Sequence, residues 1–312
     1  MKDPFELKAN SIPALNELFP DEESCIRHLE AINWHGKPVS PFDKTSKVYK
    51  LKHGNYRCKN TGKNFTVHTG TMFEKTKVNL RNWFSAIWYV TNDKKGISSY
   101  QLASHIGVTQ KTAWYMLQKI RRQMYLANES TLEGKVEADE TYIGGKNKNR
   151  HWNKKVKHSQ GRSHKDKTTV VGIIERGGLL VAKVTKNTTA ETLSSLISTF
   201  VKPDAILFTD ENAAYNQIGR VYKRYYVDHG RHQYGNGDIT TNRIEGAWTQ
   251  LKRMYHGTYI NLPKKHLQKY VDEFVYRFNL RDISNSDRFH CFLCCADTRY
   301  TYKQIRESVC LK

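Results

Sequence analysis

Three acidic residues in contrasting settings are the first candidates for chemistry: Asp139, Asp210 and Glu245. Asp139 lies in Val136-Glu137-Ala138-Asp139-Glu140-Thr141-Tyr142, which reads as a short strand ended by Gly144-Gly145. Asp210 closes the apolar run Ala205-Ile206-Leu207-Phe208-Thr209, the pattern of a fully buried strand. In open α/β sheets ligands bind beyond the carboxyl ends of the strands, where Asp210 falls. Glu245 belongs to Thr240–Arg253, a stretch with a helical period. Ile244, Trp248, Leu251 and Tyr255 form its apolar stripe, and Glu245, Thr249 and Lys252 form the neighbouring one. The same helix has a plainer reading, with Asn242 as N-cap and Glu245 completing a capping box. Three carboxylates on two strands and a helix suit phosphoryl transfer by divalent metals. Mg²⁺ takes hard oxygen ligands, and two such ions can activate an attacking oxygen and steady a leaving one.

The spacing carries a resemblance. Glu245 follows Asp210 by thirty-five residues and Lys252 follows Glu245 by seven. The surrounding words are ADETYIGGK, TDENAAY and TNRIEGAWTQLKR followed by GTY. Together they resemble the DDE transposases of bacterial insertion sequences, in particular the ISXO2-like (IS1595-type) branch, from about residue 136 to 281. The resemblance implies an RNase H-like fold, two Mg²⁺ or Mn²⁺ ions, and cleavage with strand transfer at the ends of a DNA element. It makes Asp139, Asp210 and Glu245 the metal ligands and places Lys252 against a phosphate. Asn242 stays in reserve as a third ligand, because some relatives use Asn there. Glu140, next to Asp139, is expected to point to the opposite side of its strand. Two other readings stay open: a transposase-derived DNA-binding regulator without catalysis, and an RNase H-like nuclease.

Composition agrees with a nucleic-acid partner. The 312 residues suffice for two domains with separate cores. The formal net charge of +21 exceeds what solubility needs and favours polyanions. No apolar run approaches the ~18 residues of a membrane span, and MKDPFELKAN is no signal peptide. Six irregularly spaced cysteines read as reduced thiols. The expected setting is therefore cytoplasmic and nucleoid-associated, without membrane, as a homodimer or higher oligomer on DNA.

The supporting elements follow in order. Residues 1–77 read as packing helices and then short strands between Trp34 and Phe73. Relatives place a zinc ribbon there with two Cys-x-x-Cys knuckles; here Ser40-Pro41-Phe42-Asp43 replaces the first, and Cys58 faces Thr61 in the second. A structural zinc site needs four thiolate or imidazole ligands. A ribbon-like module without structural zinc is expected. Residues 78–128 suggest a helix-turn-helix, with Gly107 in the turn and Thr109 as N-cap. Gln110, Lys111 and Tyr115 would face DNA bases, with Lys119, Arg121 and Arg122 towards phosphates. Residues 129–285 are expected to form the α/β catalytic domain. Its loop 144–167 holds nine Lys or Arg against the single acid Asp166, and Lys154, Lys155 and Lys157 are candidate clamps on DNA. A tail, 286–312, is expected to pack on that core, with Cys291, Cys294 and Cys295 as apolar filling rather than ligands.

Overall fold

In the computed structural model, residues 6, 8–52, 54–126, 130–145, 147, 150–156, 167–227, 239–260 and 262–307 are described. The chain forms two compact units, 1–127 with 280–308, and 128–279 with 309–312.

The first unit opens with two capped helices. Ser11 accepts the Ala14 amide at the start of α1 (Ile12–Leu18), and Asp21 and Ser24 form a reciprocal capping box on α2 (Glu22–Trp34). Three short strands follow, β1 (Val48–Lys50), β2 (Tyr56–Cys58) and β3 (Asn64–Phe65), paired antiparallel in chain order. Tyr56, Cys58 and Phe65 form their buried face, closed by Trp34 and Val48. α3 (Leu80–Asn92) is buried along Leu80, Trp83, Phe84, Ile87 and Trp88, the stripe its sequence period requires. α4 (Ser99–Ile106) ends on Gly107, whose φ of 66° is left-handed. Thr109 then accepts the Thr112 amide at 3.2 Å as α5 (Gln110–Leu126) begins.

The second unit is a mixed α/β fold. β4 (Lys135–Ile143), β5 (Thr168–Glu175) and β6 (Leu180–Thr185) make an antiparallel meander that turns at Gly177, where φ is 81°. α6 (Ala190–Phe200), capped by Thr189, leads to β7 (Ile206–Asp210). β7 and then β8 (Lys223–Val227) pair parallel, giving the order β6-β5-β4-β7-β8. Two 3-10 turns, Ala213–Tyr215 and Ile218–Arg220, lie between β7 and β8. α7 (Asn242–Met254) and α8 (Leu267–Asn279) follow.

Strand alternation sorts the sheet's side chains between two cores. Val136 and Ala138 join Val171, Ile173, Leu193 and Ile197 on the α6 side. Val170, Ile174 and Leu180 pack against Ile244, Trp248 and Leu251 of α7, and against Val271 and Phe274 of α8. Glu137 and Asp139 alternate with Val136 and Ala138, so they face α7.

Residues 280–308 belong to the first unit. α9 (Asn285–Cys294) packs on α3 through Phe289, whose ring centroid lies 5.4 Å from that of Phe84 and 6.0 Å from that of Trp88. The tail expected on the catalytic core therefore belongs elsewhere. Phe289, Phe292 and Leu293 need an apolar partner, and α3 supplies one.

Candidate active site

Asp139 and Asp210 each stand two residues beyond the last paired position of β4 and β7, Glu137↔Phe208. The strands are parallel, so both carboxylates lie at the same end of the β4–β7 pair, where its pairing stops. Oxygens of Asp139, Asp210 and Glu140 all lie within 4.8 Å of one another. Glu140 alternates to the other side of β4, beside buried Tyr215, yet its carboxylate still reaches the cluster. Burial, and then the charges of Glu140 and Asp139, hold the Tyr215 hydroxyl far above its ordinary pKa. Asp139 is itself pushed up to about 6, by burial first and also by the charges of Asp210 and Glu245. Negative charge is thus crowded where the sheet ends.

Neighbouring groups hold these acids in place. Trp248 of α7 donates its indole N–H to Asp139 Oδ2 at 3.0 Å. That approach depends on Gly172, which sits opposite Asp139 in β5. A Cβ at residue 172 would lie 2.4 Å from the Trp248 ring and 2.9 Å from Ile244. Asp210 Oδ1 accepts the Asn212 amide at 3.1 Å. Arg224 donates to the Asp210 carbonyl at 3.0 Å and to Thr209 Oγ1 at 2.9 Å, fixing the end of β7.

The start of α7 differs from the capping-box reading. Thr241 is the N-cap and makes no side-chain cap bond; Asn242 is already the first helical residue. Glu137, fully buried on β4, takes over the capping. Its Oε2 accepts the amides of Arg243 and Ile244 at 2.9 and 3.1 Å, and its Oε1 accepts from Arg176 Nε at 2.8 Å. Arg176 also donates to the Thr240 carbonyl at 2.8 Å. One carboxylate thus ties the helix bearing Glu245 to the strand bearing Asp139. The sequence signal for Glu137 was its alternation with Val136 and Ala138, which places an acid in a core. A buried acid needs a partner, and Arg176 is thirty-nine residues away in the hairpin turn.

The expected site residues separate into groups. Asp139 and Asp210 are brought together. Glu245 lies outside the 4.8 Å group and accepts from Thr241 Oγ1 at 3.1 Å, although its charge still raises the Asp139 pKa. Lys252 is exposed on α7. Of the candidates on α5, Lys111 is exposed. Gln110 donates its amide to Ser99 Oγ at 2.8 Å, and Tyr115 is half-buried near Tyr302. Lys119 is a correction: it is buried, donates to the Met72 carbonyl, and lies over the rings of Trp83 and Tyr115. Burial lowers its pKa to about 8. A lysine with its ammonium inside the unit cannot serve a phosphate. Arg121 is buried as well. Lys155 is exposed, Lys154 closes a 3-10 turn, and Lys157 lies outside the described residues. Among the described residues no helix is long and apolar enough to cross a membrane.

Comparison with known proteins adds a family. Residues 131–279 match the ISXO2-like transposase domain. Over 274 residues, 83% of this chain and 91% of the relative, the sequence is 28% identical to an uncharacterised protein in transposable element ISH50 of Halobacterium salinarum. An uncharacterised transposase-like protein of Haemophilus influenzae is 29% identical over 103 residues, 33% of this chain and 82% of the relative. Among solved structures, the Mos1 strand transfer complex is similar at 13% identity with a TM-score of 0.31, covering 70% of this chain and 78% of that one. The Mos1 paired-end complex gives 12% and 0.31, covering 95% and 96%. Such low scores lend no geometry to the site.

Proposed function

We propose that the chain, whose residues 131–279 match the ISXO2-like transposase domain, is a transposase. In this reading it binds the terminal repeats of an insertion sequence, cleaves phosphodiester bonds there and joins the freed 3′ ends to target DNA. One observation carries the reading: carboxylates from two adjacent parallel strands converge at the sheet end, where α7 presents Glu245. The meander followed by two parallel strands is read as an RNase H-like core.

The donor set fits Mg²⁺ or Mn²⁺. Hard carboxylate oxygens crowd together, and burial with like charge already holds one of them up at about 6. Asp139 and Asp210 would hold the ions, with Glu140 or Glu245 as the third carboxylate. When bound, such ions polarise the phosphodiester and make water or a 3′ hydroxyl a better nucleophile. The protein's own work is positioning. Trp248 aims Asp139, Arg224 and the Asn212 amide fix Asp210, and Glu137 sets the register of α7 against β4. Lys252, two turns beyond Glu245, would meet a phosphate. DNA affinity would come from many basic contacts, including Lys154, Lys155 and Lys157. α4 and α5 form the proposed helix-turn-helix, in which Lys111 is the best-placed candidate for base contacts. Assembly on DNA as a dimer or higher oligomer belongs to the same proposal.

The test is a cleavage and joining assay on DNA carrying the element's ends, with Mg²⁺ or Mn²⁺. Asp139→Ala and Asp210→Ala should each lower cleavage by about 10³-fold or more, because groups acting as a unit fail together. End binding should persist. Glu245→Ala and Glu140→Ala, run side by side, decide which acid is the third ligand. Cleavage without joined products would leave a nuclease, and intact binding with no cleavage by the wild-type chain would leave a DNA-binding regulator.

A further inference from the structure

A cavity lies in the first unit, far along the chain from the carboxylates. It encloses about 710 Å³ between α2, the end of α1 and strands β1 and β2. That volume falls within the range of small-ligand sites, roughly 300–1,000 Å³. Phe19, Trp34 and Tyr56 are among the residues that line it. Trp34 and Tyr56 meet edge to face with ring centroids 4.9 Å apart, and Tyr56 donates its hydroxyl to Glu30 at 2.9 Å. Arg27 and Lys50, both exposed, stand at its edge.

Two further observations bear on the occupant. His28 lines the cavity, is only 5% exposed, and its Nε2 has no hydrogen-bond partner among the described residues. Burial lowers its pKa to about 4, so near neutral pH this nitrogen belongs to an uncharged ring that suits a polar, uncharged edge. The strand side of the surrounding surface is strongly cationic, whereas α2 carries Glu22, Glu23 and Glu30 beside Arg27, which pairs with Glu23 at 3.8 Å. Between residues 37 and 63, eight lysines and arginines, all exposed, are set against one acid, Asp43. Two of these lysines lie over exposed rings, Lys47 over Tyr49 and Lys63 over Phe42.

We propose that this cavity receives an unstacked nucleotide of a single-stranded DNA segment. The base would lie among Trp34, Phe19 and Tyr56, and its flanking phosphates would meet Arg27 and Lys50. Aromatic walls take any base by stacking, and a basic rim tracks the backbone. A polar base edge can pair with Glu30 and His28, which a purely apolar ligand cannot do. A base within duplex DNA is stacked and paired, so it cannot enter; overhangs, flaps and flipped positions can. The inference rests on the transposase reading only for the choice of DNA as the natural polymer.

The test uses the full-length chain and a duplex with a short 3′ overhang carrying 2-aminopurine at successive overhang positions. Binding should quench the probe at one or two positions, and a blunt duplex with the probe inside should show no such change. Arg27→Gln combined with Lys50→Gln, both exposed changes, should weaken overhang binding about tenfold while changing blunt-duplex binding less than twofold. Trp34→Phe, which keeps a ring in the wall, should reduce the quench and leave the far-UV spectrum unchanged. Equal losses on both DNAs, or an overhang probe that is never quenched, would overturn the proposal. Neither measurement requires strand cleavage. A chain that cuts DNA yet ignores overhangs sinks the cavity alone, and one that grips overhangs without cutting sinks only the transposase reading.

Discussion

The end of the α/β sheet and the small sheet of the first unit both hold residues able to ligate a metal, and they have opposite character. At the α/β sheet, three carboxylates share a few ångströms, and burial with like charge holds Asp139 at about 6. In the small sheet, the positions that the family resemblance would make zinc ligands hold Ser40, Asp43, Cys58 and Thr61, and the polar groups there bond one another. Ser40 Oγ accepts the amides of Phe42 and Asp43 at 3.2 and 3.3 Å. Asp43 accepts from Thr45 at 2.7 and 2.9 Å and from Asn60 at 2.8 Å, and Ser46 Oγ accepts the Asn60 amide at 3.0 Å. The carboxylate cluster retains electrostatic conflict, whereas Asp43 in the small sheet is held by hydrogen bonds. Ligand identity alone does not separate these cases, since acids occur in both. What separates them is whether the surrounding donors already neutralise the acid.

The sharpest way to break this contrast is to remove what holds the crowded site together. Glu137→Ala would leave Arg176 without its buried partner and the α7 amides without their acceptor. Losing one member of a buried pair costs about 3–5 kcal/mol. Urea unfolding should show a loss of that size, assigned to the second unit by hydrogen exchange in β4 and α7. A loss below about 1 kcal/mol would mean that solvent replaces Glu137 and that the helix is positioned by packing alone.

Gly172→Ala should act more gently and more specifically. A methyl group 2.4 Å from the Trp248 ring forces the indole to move, and overpacking of this kind costs about 1–3 kcal/mol. Displacing the indole removes its hydrogen bond to Asp139, so cleavage should fall more than stability does while DNA binding stays. Unchanged cleavage at full loading would show that Asp139 needs no help from Trp248.

Much of this was legible in the sequence. The Thr109 cap, the Gly107 turn, the apolar run before Asp210 and the α7 stripe are local patterns that match their elements, whereas the Asn242 cap does not form. The fixing of the site was not local. Glu137 finds Arg176 across a hairpin and the amides of a helix more than a hundred residues away, and no periodicity signals that contact. Lys119 illustrates the opposite failure. On a helix of a +21 chain it reads as a phosphate contact, but its position falls on the buried stripe of α5, where a backbone carbonyl and two rings receive it. The tail was misassigned because its apolar residues say that it packs, and not on what.

The smallest expected effect tests the closed side of the comparison. Cys58 has no exposed surface. Burial works to raise its pKa, but hydrogen bonds from Ser40, Ser46 and Thr61 outweigh that and bring it down to about 6 from an ordinary 9.0. A thiol whose folded pKa is depressed contributes stability that is fully present above the unfolded value and is lost as pH falls through the folded one. The stability difference between wild type and Cys58→Ser should therefore widen as pH rises from 6 towards 9, and flatten below 6. Serine cannot ionise in this range, so the widening isolates the thiolate. If hydroxyls rather than zinc serve this thiolate, purified protein should contain no stoichiometric zinc, and EDTA followed by excess Mg²⁺ should not move the curve. A structural zinc would contribute on the order of 10 kcal/mol of apparent folding energy in a small domain, far more than any hydroxyl cage. About one tightly held zinc per chain, or a Cys58→Ser difference that does not vary with pH, would show that the module is closed by something other than these hydroxyls.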